Sequence, residues 1–171
     1  QGNLKFGDGD VDDAEDADVI VHEYAHAISH CINPFSNYGD QREAIEEGLC
    51  DFFALAYSRD ISDYQRNLIF NWDGHNEFWV GRELTYSRTY PSDLEGDKYD
   101  DAPIWTSTLA DISDNVGRDV TEKLLINSIY SYFVGMTMLD AGTLLLQSDT
   151  FLFDSEHSEI ISIVLCKRGL Y

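Results

Sequence analysis

The sequence predicts a mainly α fold with little β structure at its N-terminus, and three observations carry that expectation. Two apolar helical stretches come early, at 19–29 and 42–56. Four further segments with helical spacing of apolar residues follow from Ala102 to the C-terminus. Only 18 residues precede Val19, too few for a sizeable sheet. The 171 residues, 43% of them hydrophobic, supply one domain with its own core and leave no room for a second of ordinary size.

The first helix should run from about Ala17 to Cys31 and stop at Asn33-Pro34, because the residue before a proline avoids helical dihedrals. Val19, Ile20, Val21, Ala25, Ala27 and Ile28 frame it as a buried helix. It carries His22-Glu23-Tyr24-Ala25-His26. Positions i and i+4 share a helix face, so both imidazoles can reach one ion while Glu23 stands beside it without ligating. Two buried rings without partners would be costly, so something must satisfy them. A catalytic zinc site takes three protein ligands and keeps a position open. His30 continues the stripe near the helix end, where a cation suits the dipole.

The second helix, roughly Gln41 to Ser58, brings the missing donor. It carries Glu43, Glu46, Glu47 and Asp51, and Glu47 falls 21 residues after His26, far enough for a loop and a returning helix. Asp51 lies one turn beyond Glu47 on the same face, where it can accept the free ring N–H of a ligand histidine. Gly48 is expected to let these two helices approach closely. The segment from Ser62 to Phe70 is expected to form a further short helix.

From Asn71 to Asp101 the chain holds glycines and aromatic residues, Trp72, Phe78, Trp79, Tyr86, Tyr90 and Tyr99, without sustained periodicity. A stretch of this length suits a substrate-binding wall, although packing onto the core is the commoner role of any one ring. His75 reads as a loop residue. A helix through Ile104, Leu109, Ile112 and Val116 follows, with Pro103 in its first turn and Gly117 at its end. Asp119–Tyr132, Thr137–Ser148 and Ser155–Arg168 complete the helices, the last closed by Gly169.

His22-Glu-Tyr-Ala-His26 followed by Glu47-Gly-Leu-Cys-Asp-Phe-Phe-Ala54 resembles the gluzincin metallopeptidases, the thermolysin and fungalysin group, and bacterial fungalysin-like catalytic domains most closely. Asp16-Ala-Asp-Val-Ile-Val21, Tyr90-Pro-Ser-Asp-Leu94, Ile104-Trp105 and Cys166-Lys-Arg-Gly-Leu170 extend the likeness in scattered blocks over nearly the whole chain. The resemblance implies zinc held by His22, His26 and Glu47, with Asp51 supporting a ligand histidine. It implies a zinc-dependent metalloendopeptidase that cleaves peptide bonds with zinc-activated water and Glu23 as general base. It implies the helical part of an α+β zincin catalytic domain, a protein or peptide substrate, and secretion.

Two departures qualify these implications. Where related sequences carry a histidine that stabilises the transition state, alignment on Trp105 brings Tyr99. Its hydroxyl can donate to an oxyanion; equally, Tyr99 is a loop residue with no catalytic part. The family also pairs substrate with a sheet edge upstream of the zinc helix. Here either Leu4 to Phe6 supplies that edge or the full cleft needs further chain. The alternative is a catalytically impaired peptidase-like domain that keeps a structural zinc and binds a partner protein.

Charge and composition exclude other classes. A net charge of −21 with only 11 Lys and Arg argues against nucleic acid and disfavours anionic membrane surfaces. No apolar run is long enough to insert across a membrane. No secretory leader is legible, and a chain that begins at Gln1 rather than Met reads as a mature fragment. Cys31 and Cys50 can pair, leaving Cys166 over, or all three are buried thiols.

The acidic run from Gly7 to Asp18 alternates oxygen donors and invites a calcium reading. The EF-hand pattern fails in it, since Asp13 sits where the turn glycine belongs and Val19 where the bidentate Glu belongs. A solvated loop whose carboxylates favour the next helix start explains the run better. Asp18 remains its best single calcium or helix-supporting candidate, and a calcium-dependent structural or adhesion module ranks last among the functions.

Overall fold

In the computed structural model, which describes residues 3–7, 12–73, 79–84 and 87–171, the helical segments become α1 (Ala17–Ile32), α2 (Asp40–Ile61), α3 (Lys98–Val116), α4 (Arg118–Ile129), α5 (Met138–Phe153) and α6 (Ser158–Lys167). Strands β1 (Leu68–Ile69) and β2 (Arg82–Glu83) pair antiparallel and form the only sheet among the described residues. The fold is mainly α. His75, Phe78, Tyr86 and positions 8–11 of the acidic run lie outside the described residues. Leu4 to Phe6 belong to no strand, so they form no sheet edge.

Asp16 caps α1 by accepting the Asp18 N–H at 2.8 Å, and Asn33 ends it before Pro34. The helix is not buried all round as its apolar frame suggested. Its inward face is Asp18, His22, Ala25 and Ser29, while Ile20 and Tyr24 are 39% and 60% exposed. Three of the four inward residues are polar, so α1 turns a chemical stripe toward α2 while most of its apolar frame is only partly buried and Ile20 is exposed.

The second helix is the reverse case. From Arg42 to Ala56 nearly every residue is buried, because α1 covers one side and α3 the other. Gly48 belongs to the α3 contact, and the expectation that it serves the α1 approach is corrected. A Cβ there would stand 2.8 Å from the Ala102 carbonyl oxygen and 3.0 Å from Trp105 Cβ. Successive residues on a helix point about 100° apart, so Glu47 can face α1 while Gly48 faces α3.

The segment after α2 is not a helix. The helix runs on to Ile61, the chain turns, and β1 follows, with Gln65 and Phe70 in left-handed backbone at φ 47° and 60°. The register pairs Leu68 with Glu83 and Ile69 with Arg82. That pairing carries Arg82 over the middle of α2.

The third helix starts a turn before the expected Ala102. Asp97 caps it, accepting the N–H groups of Tyr99 and Asp100 at 2.8 and 3.4 Å. Asp101 secures the approach by accepting from Glu95 N and Gly96 N at 2.7 and 3.1 Å. Pro103 is thus the sixth residue of α3, and it offers no N–H to the carbonyl of Tyr99.

The core joins α2 to α3 through Leu49, Phe52, Ile104 and Trp105, and runs on through Leu124, Leu125, Leu145 and Ile161 of the last three helices. At the C-terminus the buried Arg168 bonds Asp111 and the Arg88 carbonyl, and its own carbonyl accepts Tyr90 N at 2.8 Å. The blocks at 90–94 and 166–170 therefore meet in space. All three cysteines are free, and only Cys50 is buried. Neither a Cys31–Cys50 bridge nor three buried thiols is present, because Cys31 lies on the exposed side of α1 and Cys50 in the interior of α2.

Candidate metal centre

The α1 stripe and the α2 carboxylates meet face to face. His22 Nε2 lies 3.3 Å and His26 Nε2 3.7 Å from the same oxygen, Glu47 Oε2. The two rings stand edge to face, with centroids 4.8 Å apart. Behind each ring is a second carboxylate. Asp51 Oδ1 lies 2.9 Å from His22 Nδ1, and Glu46 Oε1 lies 3.3 Å from His26 Nδ1.

Asp51 is close enough to His22 for an ion pair but off the direction of a ring N–H bond. The fully buried His22 Nδ1 is left without a hydrogen bond. Both Asp51 oxygens instead receive Arg82, at 2.7 and 2.6 Å. Glu46 is held by Ser29 Oγ at 2.9 Å and by the buried Arg42 at 2.7 Å. Lys98, the first residue of α3, reaches Glu47 Oε1 at 2.7 Å.

These charges set the protonation of the cluster. Burial works against charging His26, but Glu46 and Glu47 outweigh it and push the ring pKa up to about 9. His22 is raised in the same way, burial being overcome by Asp51 and Glu47. Burial also opposes ionisation of Glu47, yet His22, His26 and Lys98 hold its carboxyl well below the usual carboxylate range. Buried carboxylates thus surround two rings whose charged form they favour. A divalent cation on the Nε2 side would supply the same compensation.

The donors fit such an ion. Two ring nitrogens converge on a carboxylate oxygen; behind them Glu46 is in hydrogen-bond reach of His26 Nδ1 and can fix its tautomer, and Asp51 stands 2.9 Å from His22 Nδ1. Among the described residues, the group whose ligand atoms all lie within 4.8 Å of one another and could hold a metal ion is His22, His26 and Cys50. Cys50 has no exposed surface; burial and the nearby Glu46, Glu47, Asp51 and Glu23 push its thiol well up. The histidines belong to both sets.

The cluster forms the floor of a cavity of about 390 Å³, which Glu23, Arg82, Lys98 and Tyr99 also line. Tyr99 is 50% exposed, with Lys98 Nζ and Arg82 Cζ 4.5 and 5.6 Å from its ring centre. His30 is apart from the cluster. It is exposed and lines a smaller cavity beyond Glu46 with Asn33 and Asn37. Asp18 supports the fold: its carboxylate accepts Ser58 Oγ and, at 3.0 Å, the Phe70 N–H, tying α1 to α2 and to the end of β1.

Every ligand and supporting residue expected on α1 and α2 is therefore in this cluster, with Glu23 and Tyr99 on its cavity. Sequence reasoning gave no role to Glu46, Arg82 or Lys98. Two consecutive carboxylates inside an apolar helix were a usable signal for Glu46, since a buried charge needs a partner. Arg82 and Lys98 stand in aperiodic chain, and nothing local marked them. No family model matches this chain, and no curated protein is significantly similar to it in sequence.

Proposed function

We propose that this chain is a zinc-dependent metallopeptidase of the gluzincin kind, with His22, His26 and Glu47 holding the ion and Glu23 as general base. The observation that carries the reading is the approach of both histidine Nε2 atoms to Glu47 Oε2 in the floor of a cavity that Glu23 also lines. Zinc bound there would supply Lewis-acid polarisation of the scissile carbonyl and activation of a water.

The remaining chemistry belongs to side chains. Glu23 takes the proton of the attacking water and hands it to the leaving amine. Glu46 and Asp51 orient the two rings from behind. Arg82 and Lys98 bring positive charge to the wall facing the point where an oxyanion develops. The substrate in this reading is a peptide, and secretion rests on the resemblance alone.

Cys50 favours a second reading. A metal held by His22, His26 and the buried thiolate would be structural, and the domain would serve to bind a partner. The deciding experiment measures zinc content and hydrolysis of a mixed fluorogenic peptide library, with and without chelator, alongside Glu23→Gln. Cleavage that needs both zinc and Glu23 supports the peptidase. Zinc bound without cleavage, together with a thiolate-to-metal absorption band in the cobalt-substituted protein, supports the binding module.

A further inference from the structure

We infer that Lys98 is a positioning residue of this centre, which reserves one oxygen of Glu47 and weakens that carboxylate as a metal donor. The inference rests on the metallopeptidase reading above. Glu47 divides its oxygens: Oε2 faces the histidines at 3.3 and 3.7 Å, and Oε1 is taken by Lys98 Nζ at 2.7 Å. The lysine is not a stray surface chain. The Asp97 cap and the grip of Asp101 on Glu95 and Gly96 fix the first turn of α3, and Lys98 is its first residue. Its side chain is 35% exposed and enters from the cavity rim, so the pair borders the space where substrate would lie.

The sign of this contact sets Lys98 apart from the other supports. Both histidines are backed by carboxylates, Asp51 and Glu46, which add negative charge behind the donor nitrogens. Glu47 is backed by an ammonium, which draws negative charge away from the donor oxygen. A divalent ion beside Oε2 feels that ammonium as a repulsion. It is held less tightly and stays the stronger Lewis acid. With Oε1 occupied, Glu47 offers a single oxygen and leaves room for water or substrate. Removing Lys98 should therefore tighten metal binding while slowing turnover, and a merely structural lysine would move the two together.

The test compares wild type with Lys98→Met, Lys98→Gln and Lys98→Arg, and includes His26→Ala as control. Zinc affinity is read by competition with a chromophoric chelator, coordination by the visible spectrum of the cobalt-substituted protein, and turnover on the peptide library. Lys98→Met should bind zinc about tenfold tighter, as loss of a neighbouring positive charge requires. Its cobalt band should weaken, in the direction of higher coordination number. Its kcat should fall about tenfold at little change in KM. Lys98→Arg should stay close to wild type, and Lys98→Gln should follow Lys98→Met, which keeps the comparison if the Met variant does not fold. Affinity equal to or weaker than wild type in both neutral variants, with an unchanged cobalt band, overturns the role of Lys98 and leaves the peptidase reading standing. If His26→Ala binds zinc as wild type does, the proposed ligand set fails and the role of Lys98 fails with it.

Discussion

On one side of the cavity helix register fixes the polar groups; on the other, ion pairs that reach back 31 and 51 residues fix them, Arg82 to Asp51 and Lys98 to Glu47. Most of the helical side is dry, with His22, Glu46, Glu47 and Asp51 all at 6% exposure or less; the His26 side chain, 28% exposed toward the cavity, is the exception. The facing wall is wetter: Lys98 and Arg82 side chains are 35% and 19% exposed. The difference teaches where each kind of function belongs. Groups that must hold a fixed geometry sit where local spacing enforces it. The groups proposed to face substrate, Arg82 and Lys98, sit on chain that only the finished fold positions.

The largest effect expected is on chemistry from the helical side. Glu23→Gln should retain its metal and lower turnover about 10²–10⁴-fold, the usual range for a general base. No single substitution at Arg82 or Tyr99 should match it. Metal analysis with single-turnover kinetics checks this, and a Glu23→Gln protein as active as wild type would remove the assigned base.

Stranded buried charge orders the next two predictions. Glu46 makes the only salt bridge of Arg42 among the described residues, and Arg42 is fully buried with Nε and Nη1 lacking partners. Glu46→Gln should cost about 3 kcal/mol in metal-free denaturant unfolding, since it strands a buried charge. Arg82→Leu should cost less, about 2 kcal/mol, because the buried Asp51 it strands still has His22 Nδ1 2.9 Å away to compensate its charge. Adding Asp51→Asn to Arg82→Leu should recover part of that loss. Equal costs at the two sites would mean that His22 gives Asp51 no compensation once Arg82 is gone.

The same contrast explains what could be read from the residues alone. Helical spacing put His22 with His26 on one face and Glu47 with Asp51 on another, while the resemblance singled out Glu47 among the carboxylates of the second helix and gave Glu23 its role. The mainly α architecture was legible from the same helical spacing. Gly48 was assigned to the wrong neighbour because spacing says which residues share a face and not which helix that face meets. The start of α3 was missed because Pro103 resembles a first-turn proline, while the true cap, Asp97, stands a turn earlier in chain without periodicity. Arg82 and Lys98 were illegible because each is defined by a partner far away in sequence. The outer face of α1 was misread because its apolar residues frame the motif but most are only partly buried and Ile20 is exposed; polar partners on α2 decide which face turns inward.

The smallest effect concerns Tyr99, where the two readings of the sequence give different numbers. Its ring stands between Lys98 and Arg82 at 4.5 and 5.6 Å, so its evident work is to hold two cations over an aromatic face. Exposed contacts of that kind contribute about 0.5–1 kcal/mol. Tyr99→Phe keeps the ring and should leave kcat within about twofold of wild type, whereas Tyr99→Ala should lower it about threefold to fivefold through the loosened cations. A hydroxyl that donates to the oxyanion predicts the opposite pattern, a loss on the order of 10²-fold in Tyr99→Phe. In the proposed mechanism Lys98 and Arg82, each paired with a carboxylate, already stand on that wall. A large loss in the Phe variant would show that Tyr99, and not the cations, does the work of the histidine found there in gluzincins.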